Sequence, residues 1–187
     1  SGLPSAGESL PPGAAYPSEI GLGLPRLPTF PGITAARGKR VTDMPAVNPI
    51  ITPDGKSAAF YDSNNGYFTK LDENGNPVLL SDKQFFEVEN VVWGPKTDKA
   101  IAEFPDGSNI FLNFTTGEQV TLPKQWEDFS FRADGEKIAG KSMSPDSDNR
   151  WLFVANADGT ESRAIRPIGA NADKVKVNFS PNNQIIA

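Results

Sequence analysis

A hairpin pattern that recurs at a fixed interval restricts the fold of this chain more than any other feature. Three segments, 66–80, 109–122 and 150–165, each join two apolar runs through a turn that contains glycine. The turn glycines Gly75, Gly117 and Gly159 are spaced by 42 and 42 residues. Glycine is expected there because such turns need positive φ angles, which residues with a Cβ resist. The spacing predicts a repeated β unit.

A second strand pair precedes each hairpin, and a similar pair ends the sequence. These pairs occupy residues 50–62, 91–104, 129–142 and 177–187. Their turns contain Pro53, Pro95, Ala133 and Pro181, at steps of 42, 38 and 48. β-branched and aromatic residues dominate both kinds of segment, and helical spacing is absent. One repeat is therefore four short strands in about 42 residues, which matches a β-propeller blade.

The predicted fold is all-β: a partial β-propeller of about three and a half four-stranded blades. Residues 41–187 number 147, and 147 divided by the 42-residue period is 3.5. The predicted blades are residues 41–82, 83–125, 126–170 and an incomplete 171–187. Closed propellers use roughly four to eight blades. We therefore expect the chain to be a fragment of a longer propeller, or a piece that another chain completes.

Residues 1–40 have a different composition from the rest and predict an extended Pro/Gly-rich arm or linker. They hold seven prolines and seven glycines. Proline at this density prevents helices and interrupts sheet ladders. The chain begins at Ser1 without an initiator Met, which suggests a removed signal or membrane anchor and hence an extracytoplasmic location, in the cell envelope or secreted.

The turn sequences resemble one known family. Pro53-Asp54-Gly55-Lys56, Ala133-Asp134-Gly135-Glu136-Lys137 and Phe179-Ser180-Pro181-Asn182-Asn183 are similar to the F-S-P-D-G-K core of TolB-type β-propeller repeats, and Ala155–Thr160 is similar to the N-A-D-G turn of that family. The chain also resembles bacterial envelope proteins in which a Pro/Gly-rich spacer precedes such a propeller. The second unit, 94–99, departs from the motif by an extra residue. The resemblance implies interaction surfaces and does not imply an enzyme.

Charge and composition exclude several classes of function. The net charge of −5 argues against a nucleic-acid partner and against an anionic membrane surface, so contact with a membrane is expected only through an N-terminal anchor. The chain has no cysteine and no histidine, which excludes thiolate sites, imidazole zinc sites and Ser-His-Asp machinery within it. No cofactor is expected.

Two acidic loops are the only candidates for a metal site, and both have a simpler interpretation. Asp72-Glu73-Asn74-Gly75-Asn76 resembles the start of a calcium loop, but Pro77–Leu80 predicts a strand after it, which favours a hairpin turn. Asp146, Asp148 and Asn149 cluster oxygen ligands in one loop and are the better calcium candidate. Solvated acidic loops are the commoner explanation of such a pattern.

No pair of carboxylates stands out as a catalytic pair, so the sequence predicts a protein that is not an enzyme. The candidates are Glu87 with Glu89, Glu127 with Asp128, and Asp146 with Asp148. Adjacent residues of a regular strand point to opposite faces, which makes Glu127 and Asp128 a poor catalytic pair.

The sequence favours a non-enzymatic extracytoplasmic propeller that serves as a protein-interaction scaffold. Loops 83–90, 123–128 and 142–150 are expected to contact the partner, with Phe85, Phe86, Trp126 and Arg150 as anchors. A core or blade-interface role is the commoner explanation for Phe85, Phe86 and Trp126. Two alternatives stay open: the propeller part of a larger secreted hydrolase (peptidase or glycosidase), and a structural subunit that self-assembles with further copies of itself.

Overall fold

The computed structural model describes residues 46–180 and the strand at 185–186, and the predicted arm at residues 1–40 lies outside these described residues. The strands are β1 (Ala46–Ile51), β2 (Ala58–Asp62), β3 (Tyr67–Leu71), β4 (Pro77–Leu79), β5 (Asn90–Trp93), β6 (Lys99–Glu103), β7 (Asn109–Asn113), β8 (Glu118–Leu122), β9 (Trp126–Phe131), β10 (Lys137–Ser142), β11 (Trp151–Asn156), β12 (Arg163–Pro167), β13 (Asn178–Phe179) and β14 (Ile185–Ile186). Two short 3-10 helices span Ser147–Asn149 and Gly169–Lys174.

These strands form three four-stranded antiparallel sheets and one hairpin. The strand orders are β1-β2-β3-β4, β5-β6-β7-β8 and β9-β10-β11-β12, with β13 paired to β14. Each sheet is a meander in which neighbours in sequence are neighbours in space. The predicted partial β-propeller is confirmed: the three sheets are three blades, and the hairpin is the beginning of a fourth.

The first strand of each blade lies nearest a common axis. β1 contacts β5, β5 contacts β9, and β9 contacts β13. The Asp128 carboxylate accepts a hydrogen bond from Val177 N at 3.0 Å, and Ser130 Oγ accepts one from Phe179 N at 3.1 Å. Because the partner of residue 128 is 177 and that of 130 is 179, β9 and β13 run in the same direction. Successive blades therefore present the same ends to the same side of the molecule.

Apolar side chains between neighbouring blades form the core. Between the first two blades Tyr61 and Phe68 pack with Phe85, Val91 and Leu112, among others. A second cluster fills the space between the second and third blades: Ile101, Phe111, Leu122, Trp126, Phe129, Ile138, Phe153, Ala155 and Ala157. Burial of a large apolar side chain contributes about 1.5–3 kcal/mol. The faces between blades therefore hold the sheets together.

The turn between the first two strands of each blade has one length and one backbone form. Gly55, Thr97 and Gly135 take the same left-handed position, with φ angles of 68°, 58° and 78°. Each donates its amide to the carbonyl three residues earlier, at 2.8, 3.0 and 2.8 Å. The extra residue expected at 94–99 was therefore wrong: Thr97 simply occupies the glycine position.

No helix within residues 46–180 combines the length and the apolar character that crossing a bilayer requires.

Candidate functional site: the connector face

The loops that join one blade to the next lie at the same end of the strands as the turns between the second and third strands. We call this end the connector face and define it by its segments: 63–66, 80–89, 104–108, 123–125, 143–150 and 168–177. The opposite end, the turn face, carries 52–57, 72–76, 94–98, 114–117, 132–136 and 157–162. The three loops predicted to contact a partner lie mainly on the connector face, and the ranges 83–90, 123–128 and 142–150 extend into β5, β9 and β10.

An exposed aromatic side chain stands on this face in a firmly held loop. The side chain of Phe86 is 59% exposed, whereas that of the preceding Phe85 is 8% exposed and packs against Phe68, with ring centroids 5.7 Å apart. Tyr61 Oη donates to Phe85 O at 2.6 Å, and Phe85 N donates to Gly66 O at 2.8 Å. A Cβ on Gly66 would lie 2.8 Å from Phe85 O, so this approach requires glycine. Hydrogen bonds thus hold both the amide and the carbonyl group of Phe85, while the side chain of Phe86 is largely exposed to solvent.

Trp126 and Arg150, the other two predicted anchors, have different surroundings. Trp126 is 7% exposed and stacks on Phe153, with ring centroids 4.0 Å apart. Arg150 is half-buried, and its Nε donates to Ser144 O at 2.9 Å. Phe85 and Trp126 thus lie in the cores between blades, and Phe86 and Arg150 are the two predicted anchors that offer surface.

The acidic loop predicted as a calcium candidate uses its carboxylate to begin a short helix. Asp146 Oδ1 accepts from Asp148 N at 3.0 Å, and Asp146 Oδ2 accepts from Asn149 Nδ2 at 2.9 Å. Within the described part of the chain no group of three or more His, Cys, Asp or Glu side chains is arranged to hold a metal ion. In the other loop Asp72 Oδ1 accepts from Asn74 N at 2.8 Å and from Asn76 N at 2.7 Å, which is the predicted hairpin turn.

Glu127 and Asp128 converge on one lysine, so the expectation that they point apart was wrong. Lys141 Nζ lies 3.2 Å from Glu127 Oε1 and 3.6 Å from Asp128 Oδ2, and it donates to Ala172 O at 3.3 Å. The physical reason is a β-bulge: Asp128 has a φ of 56°, and the register of β9 on β10 shifts there. Lys141 is buried, so these contacts compensate its charge and attach the loop after the third blade to the blade itself.

A further carboxylate, that of Glu103, lies beside this cluster. Glu103 ends β6, and its carboxylate accepts a hydrogen bond from Asn90 Nδ2. Burial raises the pKa of Glu103, the Asn90 bond lowers it, and the nearby carboxylates of Asp128, Glu127 and Glu89 raise it further. Several carboxylates thus lie near one another at the inner end of the connector face.

The first strand of each blade carries an Asn or Asp side chain at the same position, which the sequence analysis did not identify. Asn48, Asn90 and Asp128 each stand five residues before Pro53, Pro95 and Ala133. Asn48 Oδ1 accepts from Val91 N at 3.2 Å, as Asp128 does from Val177 N, and both residues have positive φ angles, 45° and 56°. The sequence could have indicated these positions, because a polar residue stands at the same distance before the turn in each of these apolar strands. Two of the three positions connect one blade to the next.

Comparison with known proteins supports the fold alone. No protein-family model matches the sequence, and no curated protein shows a significant match. TolB from Acinetobacter baumannii matches with a TM-score of 0.50 and 20% identity, over 77% of this chain and 38% of that chain. A protein described as TolB from Agrobacterium tumefaciens matches with a TM-score of 0.48 and 16% identity, over 72% of this chain and 50% of that one. This chain thus has a TolB-like propeller fold and spans half or less of the length of these structures.

Proposed function

We propose that the chain is a non-enzymatic, extracytoplasmic protein-interaction propeller that binds its partner through the connector face. The observation that carries this proposal is Phe86, which is 59% exposed in a loop whose backbone and neighbouring ring are held in place. A rigid, exposed aromatic side chain loses little conformational freedom on binding, which is why such residues dominate interface energetics.

The surroundings of Phe86 suit a protein partner. Gln84, two residues before Phe86, donates from its Nε2 to Asn65 O at 2.9 Å and so adds a further bond to this loop. Glu87 and Glu89 are exposed beside it, which gives the aromatic anchor a charged, solvated rim. An apolar centre with a polar rim is the usual composition of a protein–protein interface.

The best-placed carboxylate pair has a structural explanation. Glu127 and Asp128 both contact Lys141, and Asp128 also accepts the amide of Val177. A pair that holds a buried ammonium and joins two blades has its oxygens occupied. This supports a binding role over a carboxylate-based hydrolase.

Site-specific photo-crosslinking tests the proposal. A photoreactive phenylalanine analogue placed at position 86, in the organism that encodes the chain, should give one discrete protein adduct. Val78 is 51% exposed on β4 and provides the matched control position, which should give none. Added purified wild-type chain should compete the adduct away, and Phe86→Ala chain should need about tenfold more, because losing a central aromatic anchor costs roughly 1–2 kcal/mol.

The contradicting results are equally definite. Equal competition by wild-type and Phe86→Ala chains, or the same adduct from position 78, would remove the connector face as the binding surface. Phe86→Ala should change the free energy of unfolding by no more than about 0.5 kcal/mol, since the ring is exposed. Cell fractionation tests the location: recovery of the native protein in the cytoplasm would contradict that part of the proposal.

A further inference from the structure

A cleft on the turn face, between the second and third blades, occupies a place that the neighbouring blade interface fills with an aromatic ring. Asn113 pairs with Lys99, the first residue of β6, and Phe114 follows it. Asn156 pairs with Lys137, the first residue of β10, and Ala157 follows it. Phe114 and Ala157 are therefore the same position in successive blades.

The two interfaces differ at this position. Between the first and second blades the Phe114 ring lies 5.4 Å from that of Phe68 and 5.9 Å from that of Trp93, so it fills the space. Between the second and third blades the equivalent residue is Ala157, whose methyl group is too small to fill this space. A cleft of about 370 Å³ lies there, and the apolar residues of its lining are Phe111 and Ala157, both of them buried. This volume lies within the range of roughly 300–1,000 Å³ that is usual for ligand pockets.

The rim of the cleft is polar and already ordered. Lys99 Nζ lies 2.9 Å from Glu136 Oε1 and donates to Gly135 O at 3.2 Å. Lys137 Nζ donates to Asn156 Oδ1 at 3.0 Å. Glu118 and Asp158 complete the charged lining, so three carboxylates face two ammonium groups. The cleft thus combines a small apolar base with a polar rim of net negative charge.

We propose that this cleft binds an aromatic side chain with a polar tip, tyrosine or tryptophan, that a partner polypeptide presents beside a basic residue. The ring would take the place that Phe114 fills within the chain at the other interface. The phenol or indole group would bond to the rim, because these side chains have an apolar body and a polar end. The positive charge of the basic residue beside the ring would complement the net negative charge of the cleft rim. The cleft is lined mainly by residues in or beside the turns of the turn face, whereas Phe86 stands in a loop of the connector face.

Titration of the full ¹⁵N-labelled chain with short peptides tests the proposal. Acetyl-Lys-Tyr-Lys-amide should shift the amide signals of Lys99, Glu136 and Ala157 saturably. Acetyl-Lys-Ala-Lys-amide should bind ~5-fold more weakly, because it lacks the ring. Ala157→Phe should abolish the shifts, since it supplies the missing ring from within the chain. Ala164→Phe adds the same ring at an exposed position on β12 and should leave binding unchanged.

A second variant keeps the test decisive if Ala157→Phe fails to fold, which thermal unfolding will show. Glu118 is exposed on the rim, and Glu118→Lys should weaken binding of the tyrosine peptide ~3-fold. Equal binding of the two peptides, or undiminished binding by the Glu118→Lys chain and any folded Ala157→Phe chain, would overturn the proposal. Shifts at the same residues with maltose and none with the tyrosine peptide would overturn it in favour of a carbohydrate cleft.

Discussion

Gly55, Thr97 and Gly135 hold one turn position in three successive blades, and Thr97 is the exception in residue type. A β-branched residue in the left-handed region costs of order 1–3 kcal/mol unless its surroundings compensate. Thr97 is 4% exposed, and its Oγ1 donates to Lys96 O at 2.7 Å. Its burial and local hydrogen bond offset part of that strain, which explains how the turn keeps its form without glycine.

The half-buried carboxylate of Glu103 makes the stability of this fold depend on pH. Burial is the main cause that raises its pKa, so the folded protein holds this proton more tightly than the unfolded chain does. The stability that this group contributes is complete below its unfolded pKa, roughly 4.3, and is lost as the pH rises through the folded pKa. At pH 7 the charged carboxylate therefore opposes folding.

Glu103→Gln should accordingly stabilise the protein at pH 7. Gln keeps an oxygen that can accept the Asn90 hydrogen bond and removes the buried charge. Urea unfolding at pH 7 and at about pH 3.5, below the unfolded pKa, should show a gain at the higher pH that disappears at the lower one.

The exposed Glu118 on β8 supplies the control for this measurement. Glu118→Gln should change the free energy of unfolding by no more than about 0.5 kcal/mol at either pH. A Glu103→Gln chain that is less stable than the wild type at pH 7 would show that the carboxylate is stabilising and would contradict the direction given for its pKa.

At the scale of the strand, Asn48 connects the first blade to the second. Its Oδ1 accepts from Val91 N, its backbone carbonyl accepts from Trp93 Nε1 at 2.7 Å, and its φ of 45° lies in the left-handed region. Asparagine tolerates that region better than most residues do, and its side chain provides the acceptor. One residue thus supplies both the bulge in β1 and a bond to β5.

A series at this position separates the two contributions. Asn48→Asp retains the acceptor and should unfold at nearly the wild-type denaturant concentration. Asn48→Gly tolerates the backbone conformation but loses the hydrogen bond, which should cost about 1 kcal/mol. Asn48→Ala loses the bond and strains the backbone, which should cost roughly 2 kcal/mol. Chemical denaturation measures all three, and equal stability of the Asp, Gly and Ala chains would show that the Asn48 side chain does not stabilise the contact between the blades.

Strands and hairpins could be predicted because their causes are local. Gly75, Gly117 and Gly159 mark the β3–β4, β7–β8 and β11–β12 turns directly, and each has a φ angle between 74° and 85°. The bulge at Asp128 could not be predicted, because it depends on pairing with β10 and on the amide of Val177. The prediction that side chains alternate strictly along β9 therefore failed at Asp128, where contacts with β10 and with the next blade determine the backbone conformation.

Candidate sites were harder to predict because they depend on what a neighbouring blade leaves open. Phe85 and Phe86 are adjacent and chemically identical, yet one is buried and the other is 59% exposed. The cleft at Ala157 is visible only by comparison with Phe114 across two interfaces. Neither contrast can be read from residue type, since both follow from the radial arrangement of the sheets.

At the scale of the molecule, the two ends of the blades differ in character. The connector face carries Phe86 and the carboxylates near Glu103, whereas the turn face carries the short turns with Asp, Asn and Gly and the cleft beside Ala157. Side chains of the strands form the cores between blades, and the loops carry the residues available for binding, as is usual in such folds. The two binding surfaces that we propose use loops from different ends of the strands.

The central claim is that successive four-stranded sheets are arranged around one axis with their first strands adjacent. NMR measurement of nuclear Overhauser effects in the full chain tests it most directly. The account predicts contacts between the Asn48 side chain and the Val91 amide, and between Ser130 Hβ protons and the Phe179 amide. Intact sheets that lack every contact between first strands would contradict the account.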